Sequence, residues 1–328
     1  MFTPTPSFLL HLTQRLLLAA LLTMGLPAMG QPVVITPVDA QALSSLKGYT
    51  NFIIANDLGR NGYYDQKPIA ETMGEVVALT GADFVAAPGD VHHFMGVQSV
   101  NDPLWMTNYE QVYSHPELML PWHPTLGNHE YEGNTQAVLD YSKVSRRWQM
   151  PATYYAKTLI INDTTQALLL FINTVPLIDK YRQSPEYPDA AKENMQKQLD
   201  WIDTQLHNSH AQWKIVLGHH PVYASTNKDQ NEQTDLQARL QPILEKHHAD
   251  FYICGHIHNF QHIRRPDSGI DYVVNTSASL SRKVIPSDQI LSGSSESGFL
   301  VCSIQTARTT ITLIDKAGRI VYQYHRQK

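Results

Sequence analysis

Five short apolar runs in this chain each end on a side chain that can hold a metal ion. Ile53-Ile54-Ala55-Asn56 leads to Asp57, Ala86-Ala87-Pro88-Gly89 to Asp90, Pro124-Thr125-Leu126-Gly127 to Asn128, Ile215-Val216-Leu217-Gly218 to His219, and Tyr252-Ile253-Cys254-Gly255 to His256. Four of the five put glycine directly before the polar residue, where the backbone can turn sharply without a Cβ clash. The second run continues to His93, the third to His129 and Glu130, and the fifth to Ile257 and His258. One Asp or His after glycine is ordinary turn chemistry; five in order at the ends of strand-like runs are not. Carboxylate, amide oxygen and imidazole together suit ions such as Zn, Mn or Fe better than Ca or a thiolate-loving ion. A carboxylate shared by two such ions holds them about 3.5 to 4 Å apart, a spacing that activates water and clamps a phosphoryl group.

Such side chains meet only if the strand ends do. Residues 52–55, 84–87, 122–126, 167–172, 215–217 and 251–254 read as strands, separated by amphipathic helical patterns, which is the alternation of an α/β fold. In that class ligands bind at the C-terminal edge of the sheet, where all five candidate runs end. Ile69, Met73, Val76 and Val77 form one helical face; Met195, Leu199, Ile202 and Leu206 form a second, with Asp189 as the expected cap; Leu236, Leu240, Ile243 and Leu244 form a third. Beyond Gly298 the pattern becomes strand-like over 299–305, 309–314 and 320–324, an antiparallel edge added to a sheet. The polar segment 179–188, with two prolines, is expected to be an exposed loop.

The ordered set Asp57-Leu58-Gly59, Gly89-Asp90 with His93, Gly127-Asn128-His129-Glu130, Gly218-His219 and Gly255-His256-Ile257-His258 resembles the motifs of the calcineurin-like metallophosphoesterases, in their tartrate-resistant (purple) acid phosphatase form. The stretches 94–98, 141–148 and 254–259 are similar to the same proteins. The resemblance runs from Phe52 to the C-terminus and implies a sandwich of two mixed β-sheets flanked by helices. It implies one metal held by Asp57, Asp90, His93 and His258, and a second held by Asp90, Asn128, His219 and His256. Hydrolysis of phosphate monoesters is then expected, with a metal-bound hydroxide as nucleophile and His129 holding the phosphate and protonating the leaving oxygen. A phosphodiesterase or nucleotide pyrophosphatase on the same centre is the enzymatic alternative. An exported metal-binding protein without turnover is the alternative of another class, and the presence of His129 speaks against it.

Two positions depart from the family. The purple enzymes carry a metal-binding tyrosine three residues after the bridging aspartate, where this chain has His93; a neutral imidazole favours Fe(III) less than a phenolate does, so the metal pair is expected among Fe, Zn and Mn. Where relatives have a further substrate-facing histidine, this chain has Lys228, with His92 and His220 as other candidates for contact with substrate. Tyr63 and Tyr64 follow Asp57 and are expected to face solvent or serve as scaffold.

The first residues are read apart from this domain. Arg15, the apolar run from Leu16 to Leu22 and Ala28-Met29-Gly30 form an export signal over residues 1–30, leaving 31–328 as one domain without stable membrane insertion, periplasmic or secreted. A net charge of −5 and no clustered Lys or Arg exclude the footprint of a nucleic-acid binder, so the expected partners are small phosphorylated substrates. Cys254 and Cys302 lie in strand-like runs and fit either a disulfide or two buried thiols.

Overall fold

In a computed structural model, which describes residues 34–328, the apolar runs become strands of two facing sheets. β1 (Thr50–Ile54), β2 (Val85–Pro88) and β3 (Trp122–Thr125) lie parallel in the first. β4 (Tyr155–Asn162), β5 (Thr165–Phe171), β6 (Trp213–Leu217) and β7 (Phe251–Cys254) enter the second, joined by β8 (Phe260–Arg264), β9 (Asp271–Val274) and β10 (Ile290–Ser294). β11 (Gly298–Ile304), β12 (Arg308–Asp315) and β13 (Ile320–Gln327) return antiparallel to the first sheet, as the C-terminal pattern predicts. The orders are β13-β12-β11-β1-β2-β3 and β10-β8-β9-β7-β6-β5-β4. Both sheets are mixed and helices flank them, so the expected architecture is the one observed.

Burial explains which strands the sequence revealed. β2, β3 and β7 are buried at every residue, while β13 alternates partly buried and exposed residues as a one-faced edge strand does. Facing apolar residues of the two sheets share one core with those of the helices. The sheets are tied at their C-terminal ends, where Asn275, just after β9, donates to Ile54 O at 3.0 Å and to Asn56 Oδ1 at 2.7 Å.

α1 (Pro37–Ser44) opens the described chain, and α2 (Gln66–Thr80) buries the expected Ile69, Met73, Val76 and Val77. Gly81 ends α2 in the left-handed conformation, φ +65°, with its N–H on Val77 O. After α3 (Thr135–Asp140), the segment 179–188 departs from the expectation of an exposed loop: it begins with one helical turn, α4 (Asp179–Arg182), whose Tyr181 is buried. α5 (Met195–Asn208) is capped by Asn194, whose side chain accepts from Lys197 N at 2.9 Å, and not by Asp189, which pairs with Lys192. The third helical face is split into α6 (Gln230–Arg239) and α7 (Gln241–Lys246), with Pro242 at the second start, where its missing N–H is harmless. Cys254 and Cys302 are buried free thiols. The export signal expected over residues 1–30 lies outside the described residues.

Candidate metal centre

The turns that carry the candidate side chains are held in a conformation most residues avoid. Asp57, Asp90, His256 and His258 have φ of +54°, +53°, +71° and +64°, a region that costs a residue with a Cβ roughly 1–3 kcal/mol. Hydrogen bonds between turns hold them there. Asp57 N donates to Gly89 O and Leu58 N to Asp90 O, and the hydroxyls of Ser277 and Ser279 both donate to Asp57 O. The buried carboxylate of Glu130 gathers three backbone donors, Asp90 N at 2.9 Å, His92 N at 2.9 Å and Gly127 N at 2.7 Å. Close approach explains two of the glycines: a Cβ on Gly127 would run into Asp90, and one on Gly255 into Asn56 and Asp57.

These turns bring all seven predicted ligands into buried positions. Asp57, His93 and His258 offer atoms within 4.8 Å of one another, as do Asp57, Asp90 and His219, so the two carboxylates link both ends of the site. Asp90 Oδ2 lies 3.0 Å from His219 Nε2 and 3.8 Å from His93 Nε2, and Asp57 Oδ1 lies 3.1 Å from His258 Nε2.

The histidine tautomers show what these atoms lack. Leu280 O and Pro88 O can only accept, so the nitrogens they contact, His258 Nδ1 at 2.7 Å and His219 Nδ1 at 3.0 Å, carry the hydrogen. His256 Nε2 likewise donates to Glu232 Oε2 at 2.8 Å. In the neutral rings the lone pairs of His258 Nε2, His219 Nε2 and His256 Nδ1 therefore point inward, at carboxylates or at each other, with His219 Nε2 and His256 Nδ1 3.3 Å apart. Asp57 Oδ1, Asn128 Oδ1 and both ring nitrogens of His93 have no hydrogen-bond partner. Buried acceptors that face one another without a donor need a cation between them, and this donor set fits metal ions. Without metal a proton takes that place: burial disfavours the His219 imidazolium, but Asp90 outweighs it and raises His219 to about 9, while Asp90 itself is held well below the usual carboxylate range.

His129 stands beside this cluster, 30% exposed, its ring 4.6 Å from that of His93. Its Nδ1 contacts Glu132 Oε2 at 2.8 Å; burial opposes its charge, but Asp90 and Glu132 prevail and its pKa is raised. Lys228 Nζ lies 3.1 Å from His256 Nε2. The other two candidates for substrate contact are placed differently. His92 is wholly buried against Trp105 and Trp148 and is pushed down to about 3 by burial. His220 lies close to His219 and His256, yet its ring nitrogens already face Thr174 Oγ1 at 2.8 Å and Tyr181 OH at 3.0 Å. Tyr63 and Tyr64 are exposed. Sequence reasoning gave no role to Glu130 or Glu232. The first stood in plain view beside His129; the second sits in the first turn of α6, where an acidic residue is common and nothing in the sequence ties it to His256.

A family model described as calcineurin-like phosphoesterase matches residues 50–260. The chain is 28% identical over 295 residues to purple acid phosphatase 3 of Arabidopsis thaliana, covering 86% of this chain and 78% of that protein. It is 30% identical over 270 residues to tartrate-resistant acid phosphatase type 5 of Homo sapiens, covering 77% and 82%. Among solved structures, GAP50, the anchor in the inner membrane complex of Plasmodium, superposes with a TM-score of 0.73 at 24% identity over 85% of this chain and 88% of that one. Purple acid phosphatase PPD1 from yellow lupin superposes with a TM-score of 0.60 at 13% identity over 86% and 54%. The last two likenesses concern the fold.

Proposed function

We propose that this chain, which belongs to the calcineurin-like phosphoesterase family, hydrolyses phosphate monoesters at a two-metal centre. One position would be held by Asp57, Asp90, His93 and His258, the other by Asp90, Asn128, His219 and His256, with Fe, Zn or Mn as the ions. Bound there, the metals would supply an acidified water and positive charge against the phosphoryl oxygens. The protein's own part is to keep three imidazole lone pairs and two carboxylates aimed at one buried place, and that convergence is the observation that carries the reading.

His129 has the other task. With Nδ1 oriented by Glu132, its Nε2 is left to meet a phosphate oxygen and give a proton to the leaving oxygen. Burial opposes the charge of that ring, and Asp90 and Glu132 favour it; Glu132 stays against Nδ1 when metal takes up the charge of Asp90. Lys228 is the remaining substrate contact, a cation beside the second position. Since the same fold serves an anchor protein in Plasmodium, activity rests here on the site and not on the architecture. We also propose export, with the mature chain beginning near Gln31; none of the described helices is long and apolar enough to cross a membrane.

The test is a panel of phosphomonoesters and phosphodiesters, assayed with Zn, Mn and Fe added separately to the purified protein. Metal-dependent turnover, faster on monoesters, is expected. Faster diester cleavage would transfer the site to a phosphodiesterase, and metal binding without any turnover would favour a metal-binding protein.

A further inference from the structure

Beside the candidate centre the chain builds a second, differently charged place. A cavity of about 390 Å³ is lined by Ser225 to Lys228, Ile257, Asn259, Arg282, Lys283 and Ile285. Its lining holds three cations and no carboxylate, in a chain whose net charge is −5. The cavity adjoins the centre through its backbone and through Lys228. Ile257 lies between His256 and His258, Arg282 N donates to His258 O at 2.6 Å, and Lys228 Nζ sits 3.1 Å from His256 Nε2. Asn259 donates to Lys283 O at 3.0 Å and so fixes the segment that carries the two exposed cations. Arg282 also opposes the charges of Lys228 and of Arg60, which Asp57 and Asp90 favour, so these cations lie around the acidic centre. Within the cavity lining itself no carboxylate stands among these cations, and like charges held together attract an anion.

We propose that this cavity receives a second phosphoryl group of the substrate, so that the preferred substrates are doubly phosphorylated small molecules and not simple monoesters. The inference rests on the proposed phosphatase activity. Water adds to the phosphorus at the centre, that group's P–O bond breaks, the leaving oxygen takes the proton of His129, a proton of the water replaces it, and the leaving product still holds its second phosphate on Lys228, Arg282 and Lys283. Two chemistries fit, an organic diphosphate with adjacent phosphorus atoms and a bisphosphate with separated ones.

The test compares phenyl phosphate, a nucleoside diphosphate and a sugar bisphosphate on the metal-loaded protein and on the double variant Arg282→Ser, Lys283→Ser; both residues are exposed, so the fold should persist. In the variant the kcat/KM ratio of the doubly phosphorylated substrate to phenyl phosphate should fall about tenfold, through KM, as expected when charge-assisted contacts are lost. In the unmodified protein that ratio should decline with salt, since exposed charges are screened over about 10 Å at 0.1 M. A fall for the nucleoside diphosphate alone assigns adjacent phosphates, and a fall for the sugar bisphosphate alone assigns separated ones. An unchanged ratio for both overturns the inference. Calorimetric binding of a methylene-bridged nucleoside diphosphate, compared with inorganic phosphate, reads the cavity independently: the variant should lose affinity for the first more than for the second. Absence of turnover on every substrate would defeat the phosphatase reading, and the calorimetric comparison would still decide this one.

Discussion

The two ends of the candidate centre are built differently. At one end His219 and His256 are fixed by the protein: Pro88 O holds the first ring and Glu232 the second, and Glu232 is itself held by Lys180 at 2.6 Å and Tyr181 at 3.0 Å. At the other end His93 has no partner on either nitrogen, and Asp57 leaves Oδ1 unsatisfied. The first end is oriented before any ion arrives, through hydrogen bonds reaching to α4 and α6. The second is held at His258 by Leu280 O, but at His93 it is completed only by what it binds. Partners of this kind fix the tautomer of a ligand histidine and raise its basicity, so the two ends should differ in metal affinity and in how they tolerate substitution.

The largest effect should come from the residue both ends share. Asp90→Ala removes the anion that faces His93 and His219, and activity should fall more than about a thousandfold with most metal lost from both positions. Full activity with two ions still bound would show that Asp90 is no bridge. Next, His129→Ala should leave metal content at both ends intact, yet lower turnover of poor leaving groups by about a hundredfold and of activated aryl phosphates much less. Equal losses on both substrate types would make His129 a positioning group. A smaller and one-sided effect is expected from Glu232→Gln, which keeps the shape but not the charge. Metal affinity at the His219–His256 end should fall about 10- to 100-fold, measured by calorimetry and metal analysis, while the other end keeps its ion. Glu232→Asp should recover part of it, and equal losses at both ends would erase the distinction.

What the sequence made legible follows the same physical division. Strands buried on both faces announce themselves as apolar runs, and the candidate ligands follow directly because each run stops at a sharp turn. β4, β8, β9 and β10 escaped notice, and three of them show why. β4 alternates along an edge, β9 opens on Asp271, a buried charge paired with His262 and Arg326, and β10 reads Ile-Leu-Ser-Gly-Ser, a turn-like composition. α4 was hidden by its polar sequence, because what orders it is Tyr181 OH and Lys180 meeting Glu232, 51 and 52 residues onward. Local pattern cannot show a contact of that separation. The candidate ligands were therefore visible, and the groups that hold them in place were not.

The finest distinction between the two ends lies in the stability of the protein stripped of metal by a chelator. Burial drives His93 well below its ordinary pKa, with no hydrogen bond to compensate, so between the folded and unfolded pKa values only the unfolded chain takes up a proton. Stability then falls as pH drops below about 6.5, the unfolded value. His219 has the opposite sign: raised to about 9 beside Asp90, it contributes stability in full below about 6.5 and loses it as pH rises through 9. His93→Leu should thus leave neutral-pH stability within about 1 kcal/mol, since it removes a polar group that had no partner, and should flatten the acid limb by about one proton. His219→Leu should instead destabilise at neutral pH by roughly 1–3 kcal/mol, because it leaves Asp90 buried without its partner, and this deficit should shrink above pH 9. Denaturant unfolding from pH 5 to 9.5 reads both. If the two variants shift stability in the same direction with pH, the ends of the centre are electrostatically alike, and their contrast in hydrogen bonding has no energetic consequence.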